Sequence, residues 1–466
     1  MVYGKASHNV HHIRTLVTLF ALTLVPKTQA EPADPSPTDL AARRGAQLED
    51  LEFARRNYVL KSRAFSRDGR KRAVELIKVL KARAGTLSNL EFLLGIEKLG
   101  ALADNGHDGI RFEKNAWRPP TRLPLRLIWF PDGMVVARAA PQAVELLGAR
   151  VASIESRNPD QLLSRLRVVV GGSAEYRTWN AIWAIENGGV LHALGLAKAP
   201  DRLRLRLALT NGQVVERTVA TVPSQEVPSG VEPGRLWSAD PIPGEAERKW
   251  RTAIQPSQEP LYLQHADELF FSVRSPDLKA LYVQFRMNFS YGGQSIETFV
   301  ESVRRELETN PPENLILDER FNTGGNIDLT RDLMRVIAAR TKGRIYVLVG
   351  RYTFSAGIVS AAALKHDGAD RVIIVGENIG DRLQFWSETA QPACLPHSHL
   401  CLLPTTGFWD LQRGCKDKPA CYGDHFDARV DSLEPDLHAP LTAADWLAGR
   451  DPGMEAVSRD LARPPR

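Results

Sequence analysis

Between Leu315 and Glu388 the chain alternates short apolar runs, glycine turns and amphipathic stretches in an order that leaves few folds open. Leu315–Leu317 reads as a buried strand, and Asn322-Thr323-Gly324-Gly325-Asn326 follows it as a tight turn. Ile327–Arg340 carries apolar residues at helical spacing, Ile345–Val349 is a second strand, and Ala356–Lys365 a second helix. Arg371–Val375 is a further strand, and Gly376-Glu377 follows it. With the strand Leu281–Phe285 upstream, this order predicts an α/β core over residues 261–466.

Two places in that run have chemical potential. The 322–326 turn leaves backbone N–H groups free to face a ligand, because glycine bends the chain without a side chain in the way. Ser355 falls where a strand gives way to a helix. Its hydroxyl therefore meets unpaired N–H groups and the positive end of the helix dipole, which favour a developing oxyanion. The ordinary readings are a helix cap for the serine and a plain turn for Gly324-Gly325. The Gly-x-Ser-x-Gly elbow of the α/β-hydrolases is absent, since position 353 is Thr353.

Five segments carry a resemblance. Asp318-x-Arg320-x-Asn322-x-Gly324-Gly325, Thr353-Phe354-Ser355-Ala356-Gly357 and Gly376-Glu377 are followed by Glu434-Pro435-Asp436 and Gly449-Arg450-Asp451-Pro452. In order and approximate spacing they resemble the tail-specific, or C-terminal processing, serine proteases. The resemblance spans roughly the C-terminal half and implies a crotonase- or ClpP-like spiral of β-β-α units. It further implies Ser355 as nucleophile, with an oxyanion hole from the Ala356 amide and an amide of Gly324 or Gly325. Asp318, Arg320 and Asn322 are then braces of the turn. The substrate is a protein or peptide, and no metal or organic cofactor is required.

The base departs from the better-known members, which carry a lysine in a segment like Gly-Glu-x-Thr-x-Gly-Lys. Here Gly376-Glu377-Asn378-Ile379-Gly380-Asp381 leads to Arg382, and a guanidinium is not deprotonated in proteins. A branch resembling the tricorn-type proteases uses an upstream histidine instead. His107, in Asp104-Asn105-Gly106-His107, matches that element. Its ordinary reading is a surface-loop histidine. Glu434 and Glu388 are the carboxylates considered for orienting it. The alternative function is a catalytically silent peptide- or ligand-binding protein on the same fold, which Ile379, Asp381 and the missing lysine keep open. An esterase would differ only in substrate.

The rest of the chain supplies context. The 466 residues are 43% hydrophobic and 25% charged, suiting a soluble protein of two or three domains. Residues 1–30 read as a signal peptide: Lys5 and Arg14 are followed by apolar Leu16–Val25 and the small-residue site Thr28-Gln29-Ala30. That apolar stretch is too short to span a bilayer, so export to a periplasmic or extracellular space is expected, without stable membrane insertion. Residues 31–118 read as helical, with a capping box at Ser88-Asn89-Leu90-Glu91. Arg55 to Arg83 is basic, which reads as a solvated helix face and not as a nucleic-acid surface.

Residues 119–222 turn β-rich: Leu203, Leu205, Leu207 and Leu209 alternate with polar residues, and Asn211-Gly212 makes a hairpin. Asn158-Pro159 caps a short helix. Leu146-Leu147-Gly148-Ala149-Arg150-Val151-x-x-Ile154 resembles the core of a PDZ-like domain, without the glycine-hydrophobic-glycine loop that holds a peptide carboxylate. The prolines of 223–260 suggest a linker. All four cysteines, Cys394, Cys401, Cys415 and Cys421, cluster late in the chain. Four cysteines allow three pairings, and the simplest is Cys394–Cys401 with Cys415–Cys421. The rival is a metal site in Cys394-x-x-His397-x-His399-x-Cys401, whose spacing matches no zinc pattern. The sequence sets no oligomeric state.

Overall fold

Asn314–Asp318 and Ile345–Val349 are buried at every position, as strands are when a sheet is covered on both faces. In this computed structural model, which describes residues 37–228, 232–388, 391–415, 420–422 and 428–463, they form the middle of a six-stranded sheet. Its order is Phe270–Ser275, Ala280–Phe285, Asn314–Asp318, Ile345–Val349, Val372–Gly376 and Leu437–His438. The first pair is antiparallel and the rest run parallel. The expected signal peptide lies outside the described residues.

Strand alternation divides the core in two. Leu315, Leu317, Val347 and Ile374 face the helices Ile296–Thr309, Arg331–Arg340 and Ala356–Gly368. On the opposite face Tyr282, Ile316, Tyr346 and Leu348 pack with Ala456 and Val457 of the helix Pro452–Leu461. The expected helix Ile327–Arg340 is broken into a short turn, Ile327–Leu329, and the helix Arg331–Arg340. Thr330 stands at the break, its hydroxyl accepting from Asn288 Nδ2 at 2.6 Å.

A second, antiparallel sheet runs in the order Leu125–Phe130, Gly133–Ala139, Arg150–Ile154, Arg202–Ala208 and Val214–Ala220, with the short strand Arg251–Thr252 pairing the end of Gly133–Ala139. The last two strands of that order meet at the expected hairpin, where Gly212 takes φ +84°. Asn158 caps Pro159–Leu166 by the reciprocal bonds of a capping box. The helices Pro37–Ala54, Arg67–Ala82 and Asn89–Ala101 form a third layer, and Ser88 caps the last of them as its sequence predicts. Leu395, Leu400 and Leu402 join the core of that layer, so the late cysteine hairpin packs on the N-terminal helices.

The expected linker is a packed strap. Arg138 is fully buried, and a guanidinium has five donors to satisfy. The carbonyls of Arg235, Leu236, Ser238 and Asp240 and the Glu245 carboxylate accept from it. Prolines here fix the path of a wrapped segment. Both local disulfides are present, Cys394–Cys401 and Cys415–Cys421. The joined sulfurs of Cys394 and Cys401 leave the metal alternative without thiolate ligands, and its histidines pair with carboxylates, His397 with Glu49 and His399 with Glu113. No helix among the described residues is long and apolar enough to cross a membrane.

Candidate active site

Ser355 sits between the strand Ile345–Val349 and the helix Ala356–Gly368 at φ +52°, ψ −121°. Such a backbone costs a non-glycine residue about 1–3 kcal/mol and persists only where its surroundings enforce it. Two bonds do so. The Phe354 N–H donates to Asn322 O at 2.9 Å, and the Thr353 hydroxyl donates to Glu319 O at 2.8 Å. The Ser355 hydroxyl makes no cap bond to the helix, and the residue is half-buried on a cavity wall. The cap reading does not hold.

The glycine turn runs against this serine. A Cβ on Gly324 would lie 2.5 Å from Ser355 Cβ, and one on Gly325 would lie 2.6 Å from Asn288 O. Their φ angles of +103° and +140° exclude other residues as well. Asn288 clamps the turn, donating from its N–H to Gly324 O and accepting from Asn326 N–H, both at 2.8 Å. The Gly324 N–H is already used, donating to Asn322 Oδ1 at 2.9 Å. Among the described residues nothing accepts from the Gly325 N–H. Ala356 opens its helix, so its N–H has no intrahelical acceptor.

Beneath the turn, Asp318 is fully buried and ion-paired to Arg320 at 2.6 Å, and Arg320 reaches Asp451 at 2.8 Å. Burial pushes the Asp318 carboxyl up, but the guanidinium more than offsets it and holds the group below its ordinary range. Asp451 also caps the helix Pro452–Leu461. The late Gly-Arg-Asp-Pro segment is thus a clamp on the end of a central strand. Asp436 accepts from Ile374 N–H at 2.8 Å, and Glu377 accepts from Leu441 N–H at 3.0 Å, so these motifs brace neighbouring strands.

His107 reaches the same cavity from the N-terminal region. It is buried and stacks on Phe354, with centroids 4.4 Å apart, and on Phe385 at 5.2 Å. Side chains fix its loop. Asn105 Nδ2 donates to Asp108 and to Trp386 O, and Asn105 Oδ1 accepts from Trp386 N–H. Asp108 accepts from the Ser62 hydroxyl at 2.8 Å and the Thr405 hydroxyl at 2.7 Å. Burial pushes its carboxyl up to about 6, with those hydrogen bonds resisting. Arg382, unfit as a base, donates to Asp104 O at 3.0 Å and Asp104 Oδ2 at 3.2 Å. It anchors the loop that carries the histidine.

One cavity of about 610 Å³ gathers Ser355, Ala356, Gly324, Gly325 and His107. Its walls include Tyr176 and Trp179, which pack with the antiparallel sheet in a core that also takes in Phe354. Trp409 and Tyr422, which flank the Cys415–Cys421 bridge, line it too. That bridge, distant from Ser355 in sequence, thus has its chain neighbour Tyr422 on the wall of the serine's cavity. Glu434 is exposed and does not line the cavity. The Glu388 side chain lies outside the described residues.

No family model matches the sequence, and no curated protein matches it. Solved structures do. Mature CPAF complexed with lactacystin superposes with a TM-score of 0.55 at 14% identity, covering 90% of this chain and 98% of that one. A further structure of mature CPAF gives the same TM-score over 97% of its chain. The chain has the fold of CPAF. A photosystem II D1 C-terminal processing protease is matched over 91% of this chain at 14% identity, with a TM-score of 0.37. The mixed α/β architecture that the motifs imply is the one found.

Sequence reasoning missed the parts that hold His107. Asn105 and Asp108 lie beside it in the chain, but their partners Trp386 and Thr405 lie nearly three hundred positions away. The one available signal was a polar trio packed tightly around a histidine. Phe385, Trp409 and Tyr422 carried no signal distinct from ordinary core aromatics.

Proposed function

We propose that the protein is an exported serine peptidase. Ser355 Oγ attacks the scissile carbonyl carbon while His107 takes the hydroxyl proton. The oxyanion is met by the N–H groups of Gly325 and Ala356, with Gly324 serving the turn through its small size. Collapse breaks the C–N bond, and the leaving amine takes the proton from His107. Water then attacks the acyl-enzyme with His107 again as base, releasing the new carboxyl end and restoring the serine.

The observation that carries this reading is Ser355 itself: a strained serine at a helix start, its hydroxyl unused as a cap, pressed against a glycine turn with a spare amide. Supporting it are the motif resemblance, the shared fold with CPAF and the convergence of His107 on the same cavity. Within this reading the core is the β-β-α spiral of the tail-specific proteases and the antiparallel sheet their PDZ-like module. The two disulfides agree with an oxidising compartment.

A fluorophosphonate probe tests it. Wild-type protein is expected to be labelled and Ser355→Ala is not. Lactacystin, with which a CPAF structure is complexed, serves as a second probe of the same cavity. Absence of labelling together with absence of peptide turnover would favour the silent binder.

A further inference from the structure

The turn that presents the Gly325 amide stands on a carboxyl group that the mechanism above does not use. Glu319 is fully buried. Its Oε2 accepts from Asn322 Nδ2, while no hydrogen bond reaches its Oε1. The same Asn322 Nδ2 donates to Asn288 Oδ1 at 2.6 Å, and Asn322 Oδ1 accepts from the Gly324 N–H at 2.9 Å. The backbone of Glu319 is equally engaged: its N–H donates to Leu348 O at 2.9 Å, and its O accepts from Asn322 N–H and the Thr353 hydroxyl. One residue thus touches both the glycine turn and the loop that leads to Ser355.

We propose that Glu319 is a positioning residue for the oxyanion turn: its side chain locks Asn322, and Asn322 holds the Gly324 amide so that the Gly325 N–H faces the reacting carbonyl. The role rests on the peptidase reading given above. A leucine would fill the same buried space with no acceptor for Asn322, so packing alone does not require a carboxyl group here. The nearest charged group facing it is Asp318, itself committed to Arg320 and the Tyr282 hydroxyl. Burial pushes the Glu319 carboxyl well above its ordinary range, the Asn322 bond offsets part of this, and Asp318 adds to it. The uncharged form is thereby favoured under the turn, and glutamine is its conservative replacement.

The test compares Glu319→Gln and Glu319→Leu in the full chain. Glu319→Gln is expected to keep kcat within about threefold, since it retains a neutral acceptor for Asn322. Glu319→Leu is expected to lower kcat roughly tenfold to a hundredfold with KM within about twofold, the split that follows from loss of transition-state positioning alone. A readout independent of activity is the unfolding equilibrium. A folded-state pKa above the unfolded one makes wild-type stability fall as pH rises from about 4.3, by up to tenfold in the unfolding constant per pH unit, until the folded pKa is reached. Glu319→Gln is expected to lack that slope. Active wild type with a fully active Glu319→Leu would overturn the positioning role and leave the peptidase standing. Wild type that neither turns over peptides nor takes the fluorophosphonate would overturn both.

Discussion

Ser355 and the glycine turn are fixed by main-chain bonds, with Asn322 and Thr353 adding short-range side-chain ones, between neighbouring segments of one sheet, whereas His107 is fixed by side chains reaching from segments far along the chain. On the serine side, Phe354 N–H to Asn322 O and the Asn288 clamp set the geometry, and glycine is dictated by space measured in tenths of an ångström. On the histidine side the geometry depends on Asn105, Asp108, Arg382 and two aromatic rings. Main-chain frameworks tolerate little change at the few positions they press upon. Side-chain frameworks spread the load and degrade by degrees.

If both walls serve one reaction, removing either reacting group gives the largest effect. Ser355→Ala and His107→Ala are each expected to lower kcat by about three to six orders of magnitude, and the double variant is expected to lose little more. Steady-state kinetics on one peptide decides this. His107→Ala protein with most of its activity intact would separate the two walls and end the mechanism.

The glycines sharpen the contrast next. Gly324→Ala drives a methyl into Ser355 at a backbone angle alanine avoids, and is expected to cost at least a hundredfold in kcat and about 2–4 kcal/mol of stability. Gly109, on the histidine side of the same cavity, has open space where a Cβ would go. Gly109→Ala is expected to stay within about 0.5 kcal/mol of wild type by urea unfolding. Equal losses at the two positions would show that the walls do not differ in this way.

Asp108→Asn probes the side-chain framework through pH. The Asp108 carboxyl, pushed up to about 6 by burial, starts from an ordinary value of 3.8. The folded protein therefore holds this proton longer than the unfolded chain, so stability is highest below the ordinary value and is lost as pH rises through about 6. The loss amounts to about 3 kcal/mol. The variant lacks that slope, so its stability relative to wild type is expected to rise between pH 4 and 6.5 in urea unfolding. Its kcat is expected to fall about tenfold, because one amide oxygen cannot serve the three donors, Ser62, Asn105 and Thr405, that share the two carboxylate oxygens, and the loop loosens. A difference in stability that does not change with pH would remove Asp108 as a strained anchor.

The same division decides what was legible beforehand. Leu315–Leu317, Ile345–Val349 and the helix after Ser355 were readable because their burial and spacing are local properties of the chain. The turn was readable because glycine pairs after a buried strand have few other uses. The capping boxes at Ser88 and Asn158 were readable for the same reason. The strap around Arg138 was not, since prolines mark a loose linker and a wrapped segment alike, and the buried arginine that distinguishes them lies a hundred residues upstream. Nor was the placement of the Cys415–Cys421 bridge near the cavity, which follows from the pairing of Gln384–Glu388 with Thr405–Asp410. Long-range pairing leaves no local trace.

The smallest effect belongs to Arg382, and its size is what makes it informative. By the motif resemblance the residue stands where the better-known tail-specific proteases carry their lysine base, so a base-like role predicts an inactive Arg382→Ala. The structure gives it a different task, an ion pair with Asp104 in which both side chains are about half exposed. Exposed pairs contribute about 0–1 kcal/mol and are screened by salt. Arg382→Ala is therefore expected to keep at least a fifth of wild-type kcat, with the deficit shrinking as ionic strength rises and weakens the wild-type pair. The Asp104→Asn variant is expected to lose less, because it removes the ion pair but leaves the Arg382 bond to the Asp104 carbonyl in place, and the double variant is expected to be no worse than Arg382→Ala alone. An inactive Arg382→Ala beside an active His107→Ala would reverse the assignment of the two walls, moving the proton acceptor from the N-terminal loop to the segment after Gly376-Glu377.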